Sequence, residues 1–190
     1  MPRIAVRLAV LLGCLSLVSL AAHAQEVVHA LTGTVNHIDP ATKTITVLTD
    51  DGSDGTFRDM TVARTSINFD KNIRNESVAA DDFKSNGARV IVYYYGLGEN
   101  RTVVALRDLG PGPITTSTGT LVKFDKGAHT ISIQDASGVV ESFVITHDTV
   151  ADTDGGAAGG MKFDGAKGQH VRVTTSEVNG SKAALFITVT

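Results

Sequence analysis

The sequence has a single cysteine, Cys14, and it lies within an apolar stretch near the N-terminus. No disulfide framework can be built from it, so stability must come from packing. Runs of lysine and arginine are also missing, and the 17 basic residues are outnumbered by 20 acidic ones. This balance argues against non-specific binding to nucleic acid and against adsorption to anionic lipid, both of which need clustered cations. Catalytic signatures are absent as well: there is no HExxH, no G-x-S-x-G and no S-x-x-K. No cofactor is implied, and the chain reads as a non-enzyme.

What is present begins with a basic and apolar N-terminus. Arg3 and Arg7 bracket the start of an apolar run over residues 9–22, which closes on "AHA" before Gln25. That order describes a secretory signal peptide over residues 1–24, and the run is too short to read as a membrane-spanning helix. "LLGC" (residues 11–14) approximates a lipobox, but Leu12 stands where a small residue is usual and the apolar sequence continues beyond Cys14. Cys14 therefore reads as part of the signal. Removing Arg3 and Arg7 leaves 15 basic residues against 20 acidic ones, a formal charge of −5. The expectation is an exported protein, periplasmic or extracellular, with no membrane span in its mature chain.

The strongest signal is a repeat. "TGTVNHIDPATKTITV" returns 86 positions later as "TGTLVKFDKGAHTISI", matching Gly33 to Gly119, Asp39 to Asp125, and Ile45 and Val47 to Ile131 and Ile133. Gly52 matches Gly138, and Phe57 matches Phe143. Further on, "NGARVIV" aligns with "KGQHVRV" at an offset of 81, and the "AL" pairs at Ala105 and Ala184 align at 79. Between the copies "GPGP" (residues 110–113) reads as a linker, giving units of residues 25–109 and 114–190.

Within each unit the apolar period is two, as in "KTITVLT" and "HTISIQD", which fits half-buried strands. Five strands are expected per unit, near 31–38, 43–49, 56–62, 88–95 and 101–108, then 117–124, 129–135, 140–146, 169–175 and 182–189. "VAADDFKSNG" predicts a helical turn capped by Asp81 or Asp82 that closes the first barrel with Phe83; Phe163 takes the same place in the second. The fold class is all-β: two tandem five-stranded small barrels. Five strands, a longer segment between the third and fourth, and a glycine before the fourth resemble the OB-fold plan. The phrase T-G-x-[VL]-x-x-x-D…T-[IV]-x-[IV]…F…G-x-x-V-x-V resembles exported bacterial families of OB-like barrels that are domains of unknown function. That resemblance implies a fold, and its matched positions carry no chemistry to transfer.

Candidate sites are few. "DTDGGAAGG" (residues 152–160) lacks the Lys-Ser/Thr of a phosphate loop, and neither it nor "DDGSDG" has the alternating ligands of an EF-hand, so it reads as a flexible loop. His29, His37, His129, His147 and His170 are scattered without ligand spacing, and no metal site follows. The repeat exposes one asymmetry. Val90 and Val92 align with Val171 and Val173 as inward positions. Ile91, Tyr93 and Tyr95 then face outward, against Arg172, Thr174 and Ser176 in the second copy. All three tyrosines of the chain are at 93–95. The stripe Ile91, Tyr93, Tyr95 is either an interdomain contact with Phe186, which the alignment places opposite Arg107, or a protein-binding surface, or a platform for stacking a sugar. The functional expectation is an envelope module binding a protein or glycan through barrel surface and loops. The alternative is a carrier of a small ligand or metal in the cleft between barrels. Oligomeric state is not set by the sequence.

Overall fold

The computed structural model describes residues 25–59, 67–178 and 180–190. The expected signal peptide and Cys14 lie outside the described residues, as does the expected end of the third strand at 60–62. In chain order the first part holds β1 (Glu26–Val27), β2 (His29–Asp39), β3 (Thr44–Thr49), β4 (Asp54–Asp59), β5 (Ile67–Asn68), helix α1 (Lys71–Asn75), β6 (Val78–Ala79), β7 (Arg89–Tyr95) and β8 (Thr102–Asp108). The second part holds β9 (Ile114–Asp125), β10 (Thr130–Gln134), β11 (Val140–Thr153), β12 (Gly156–Gly159), β13 (His170–Val178) and β14 (Ser181–Val189).

Besides a two-stranded parallel pair of β1 and β5, these strands form two six-stranded sheets. In the second, β10 pairs with both β9 and β11, which closes β9, β10, β11, β14 and β13 into a five-stranded barrel with β12 on its edge. The first sheet runs β4-β3-β2-β7-β8-β6, and a parallel pairing of Arg58 and Asp59 in β4 with Thr102 and Val103 in β8 bends it into a ring. The molecule is thus all-β around two interiors. Val35, Ile45, Val47, Phe57, Val90 and Val92 fill the first, and Leu121, Ile131, Ile133, Phe143, Val171 and Val173 fill the second. Strict alternation in β3 and β10 puts every second side chain inside, where each buried Val, Ile or Phe contributes roughly 1.5–3 kcal/mol. Phe83 belongs to the first core and Phe163 to the second.

The backbone irregularities coincide at the spacing of the sequence matches. Register shifts skip Asn36 in β2 and Val122 in β9, which are 86 apart. Others skip Val104 in β8 and Leu185 in β14, which are 81 apart. Lys43 and His129 both hold positive φ, +55° and +53°, at the turn into the second strand of each barrel. A Cβ on Gly33 would strike the carbonyl oxygen of Leu48, and one on Gly119 that of Gln134. The glycines of the repeated phrase are required by this close approach of strands.

Three expectations need correction. In β7 and β8, Tyr93 pairs with Ala105, while in β13 and β14 Thr174 pairs with Phe186. The fifth strands therefore correspond at 81, not 79, and Phe186 stands where Ala105 stands, not opposite Arg107. The paired dipeptide "AL" was a coincidence across two bulges. The helix of the first part is α1, at residues 71–75, and its cap is Asp70, whose carboxylate accepts from the Asn72 and Ile73 amides at 2.9 and 3.4 Å. In the expected segment one helical turn does form after β6, the Asp82 and Phe83 amides donating to the Ala79 carbonyl at 3.0 and 3.1 Å, but neither Asp81 nor Asp82 caps it with its side chain among the described residues. Finally, the glycine-rich segment is no loop. Residues 156–159 form β12, paired with residues 150–153 of β11. The Ala157 amide donates to the Val28 carbonyl at 2.7 Å, and Gly156 (φ +95°) approaches Val28 so closely that a Cβ would collide with it. Glycine there permits contact between backbones.

Candidate functional site

β7 is buried on both faces, which strict alternation over a single core does not produce. Val90 and Val92 point into the first barrel, while Ile91 and Tyr93 belong to a third cluster with Val28, Ile73, Val150 and Phe186. Val150 and Phe186 come from the second sheet, so this cluster is the seam between the two. Ile91 and Tyr93 are 0% exposed and Phe186 is 1% exposed; Tyr95 is half-buried at the margin. The structure thus brings Ile91, Tyr93 and Phe186 together and leaves Tyr95 at the edge. The Tyr93 ring lies 5.2 Å from that of Phe69, and its buried hydroxyl makes no well-formed hydrogen bond among the described residues, with Ser77 and Arg107 nearby. Burial pushes the Tyr93 phenol up to about 12, against the opposing pull of nearby Arg107. The expected polar outer face of β13 is not solvated at Thr174, which is also 0% exposed.

The seam has a polar side. Asp50, in the turn after β3, has a side chain 4% exposed and forms a two-point pair with Arg89, at 2.5 Å to Nη1 and 2.7 Å to Nη2. Its Oδ2 also accepts from Thr32 Oγ1 at 2.6 Å and from Thr116 and Thr174 of the second part, both at 3.3 Å. A buried carboxylate is tolerable only with such a set of donors. Nearby, Asp152 of β11 accepts from the Ala30 amide at 3.0 Å and meets His29 Nδ1 at 3.3 Å. Burial raises the Asp152 carboxyl above its ordinary value, and those two partners only partly offset it. Arg107 ties Glu76 (3.1 Å) to Asp148 (3.5 Å, and its carbonyl at 2.9 Å).

Glu76, His147 and Asp148 bring three ligand atoms within 4.8 Å of one another, a grouping of the end of α1 with β11 that no sequence spacing announced. Arg107 already supplies the positive charge between the two carboxylates, which opposes a metal ion there. His37, His129, His147 and His170 are exposed and separate.

Two hollows meet at one pair of side chains. A cleft of about 370 Å³ runs along the seam past Asp51, Asp152, Arg172 and Thr188. A larger hollow, about 880 Å³, lies on the outside of the first barrel against Thr44, Thr56 and Arg58, and under the turn at residues 96–99. Tyr94 and Arg101 line both. The Arg101 guanidinium lies 4.5 Å from the Phe57 ring centroid and 5.9 Å from that of Tyr94, while Phe57 and Tyr94 pack edge to face at 5.3 Å. Arg101 has no ion pair among the described residues, and its Nε is buried without a partner. Leu97 is 87% exposed above the larger hollow, between Gly96 and Gly98, both at positive φ. A third hollow, of about 570 Å³, lies beneath the Gly/Pro linker, but its charged groups are occupied: Arg89 by Asp50, and Asp108 by the Gly110 amide at 2.8 Å.

Tyr94 and Arg101 were missed in the sequence because Tyr94 counts as an inward position there. Tyr94 does keep the inward face of Val90 and Val92 and packs against the first core, but it lies near the end of β7, where it also lines the two hollows. No helix among the described residues is long and apolar enough to cross a membrane. Compared with known proteins, the chain matches no family model and no curated sequence.

Proposed function

We propose that this chain is an exported, non-enzymatic envelope module, periplasmic or extracellular, built from two OB-like barrels of duplicated origin, which binds a glycan in the hollow on its first barrel. The observation that carries this reading is the 880 Å³ hollow itself. Its floor offers an aromatic ring and a guanidinium (Tyr94, Arg101), its wall two hydroxyls (Thr44, Thr56), and its rim two carboxylates (Asp54, Glu99). Such a mixture suits a sugar, which presents an apolar ring face for stacking and hydroxyls for both donors and acceptors. The position also agrees with the fold analogy, because OB barrels take oligosaccharides across their second and third strands and the loop between the fourth and fifth.

The stripe of Ile91, Tyr93 and Tyr95 does not serve this role, because Ile91 and Tyr93 are covered. The seam cleft supports a carrier reading less well, since the carboxylates of Asp50 and Asp152 are already engaged there. A thermal-shift panel of neutral and acidic oligosaccharides tests the proposal: a ligand bound only by the native state raises the melting temperature. The expected result is a shift with at least one oligosaccharide that Tyr94→Ala removes. A panel without any shift overturns it.

A further inference from the structure

The geometry points to a carboxylate-bearing sugar, a uronic-acid unit, as the ligand of this hollow, with Arg101 as the residue that selects its charge. The inference rests on the reading of the hollow as a glycan site and goes beyond it by naming the ligand class. Four observations converge. Arg101 lies over the Phe57 ring and beside that of Tyr94, and no acid among the described residues pairs with it. Its Nε is buried without an acceptor, a desolvated donor that leaves the cation poorer in hydrogen bonds than a free arginine. Arg58 lines the same hollow and has no ion pair among the described residues, although β4 and β8 set it beside Arg101 through its own amide, which donates to the Arg101 carbonyl at 3.0 Å. The rim acids do not neutralise the pair, since neither Asp54 nor Glu99 comes within 4.0 Å of either guanidinium.

Elsewhere in the molecule two half-buried arginines are matched: Arg89 to Asp50, and Arg107 to Glu76 and Asp148. Arg101 and Arg172 are half-buried without an ion pair among the described residues; Arg172 lies in the field of Asp51, and Arg101 alone of the two lines both hollows. A planar carboxylate matches the terminal nitrogens of a guanidinium at two points, and a guanidinium already stacked on aromatic rings loses little freedom on binding. The Tyr94 ring beside it is placed for the sugar face, so charge and ring are read by adjacent side chains.

The test is calorimetric titration of the whole chain with a galacturonic-acid tetramer and with the same tetramer fully methyl-esterified. These probes share the sugar backbone and differ at the carboxyl, which is charged in one and a neutral methyl ester in the other. The expected result is binding of the acid about tenfold or more tighter than of the ester, the size of one charge-assisted hydrogen bond. Arg101→Met should abolish that preference by weakening the acid more than the ester, and Arg101→Lys should restore part of it. Arg101→Lys keeps the charge and much of the stem, so it serves if the methionine variant fails to fold. Equal affinity of the native chain for acid and ester overturns the inference and leaves the glycan reading standing. Binding of neither tetramer overturns the inference, and the oligosaccharide panel then decides the glycan reading separately.

Discussion

Thr32 and Thr174, 142 positions apart, bring their hydroxyls to within 3.3 Å of each other where the two sheets meet, and both donate to one carboxylate, that of Asp50. The contact joins β2 of the first sheet to β13 of the second in a place where neither hydroxyl reaches water, since Thr32 is 3% and Thr174 0% exposed. A seam with an apolar centre and a satisfied polar flank resembles a protein interior more than a contact between loosely tethered units.

Replacing Asp50 by alanine leaves Arg89 without its partner and two buried hydroxyls without an acceptor. Unfolding free energy should fall by about 3 kcal/mol, the usual consequence of breaking a buried pair from one side. Asp50→Asn, which keeps an acceptor oxygen, should lose less. Urea titration at unchanged m-value measures both.

Tyr93 separates packing from polarity. Tyr93→Phe removes a hydroxyl that makes no well-formed hydrogen bond among the described residues and should change stability by about 1 kcal/mol or less. Tyr93→Ala should cost about 3–5 kcal/mol by opening a cavity in the seam. Half-buried Tyr95 should tolerate alanine at about 1 kcal/mol or less.

How much of this was legible depended on which force set each residue's place. The barrel interiors were readable because burial follows a period of two, and Ile45, Val47, Ile131 and Ile133 keep it without interruption. The asymmetry at Ile91 and Tyr93 was readable because strands whose sequences match allow one face to be compared with another. The register of the fifth strand was not readable, since the bulges at Val104 and Leu185 leave no mark on composition. Nor was β12, whose glycines look like a loop and exist because backbone meets backbone at Val28. Arg101 escaped notice for a similar reason: a lone arginine between strands acquires meaning only when Phe57 and Tyr94 fold around it.

The pH response should have two limbs of opposite sign. Hydrogen bonds from Ser53, then from Thr49, hold the Asp51 carboxyl down to about 2 from 3.8. A lowered value means the folded state gains stability above 3.8 and loses it as pH falls toward 2. Asp152 is raised, chiefly by burial, so its contribution is complete below 3.8 and is lost as pH rises through its higher folded value. Asp51→Asn should flatten the acid limb, and Asp152→Asn should remove the opposing one. Both are read from unfolding free energies measured between pH 2 and neutrality.

Gly156→Ala should destabilise by about 1–3 kcal/mol, because the residue sits at φ +95° and its new methyl would meet the Val28 carbonyl. Gly159→Ala, at φ −60° with open space around its Cβ position, should change stability by about 0.5 kcal/mol or less. Chevron or equilibrium denaturation of the two variants side by side distinguishes a required glycine from an incidental one.

Scanning calorimetry of the whole chain is the most direct test of the claim that the seam makes two barrels one body. The account predicts one transition, with calorimetric and van't Hoff enthalpies in agreement. Two resolved transitions, one of them unmoved by Asp50→Ala, would contradict it.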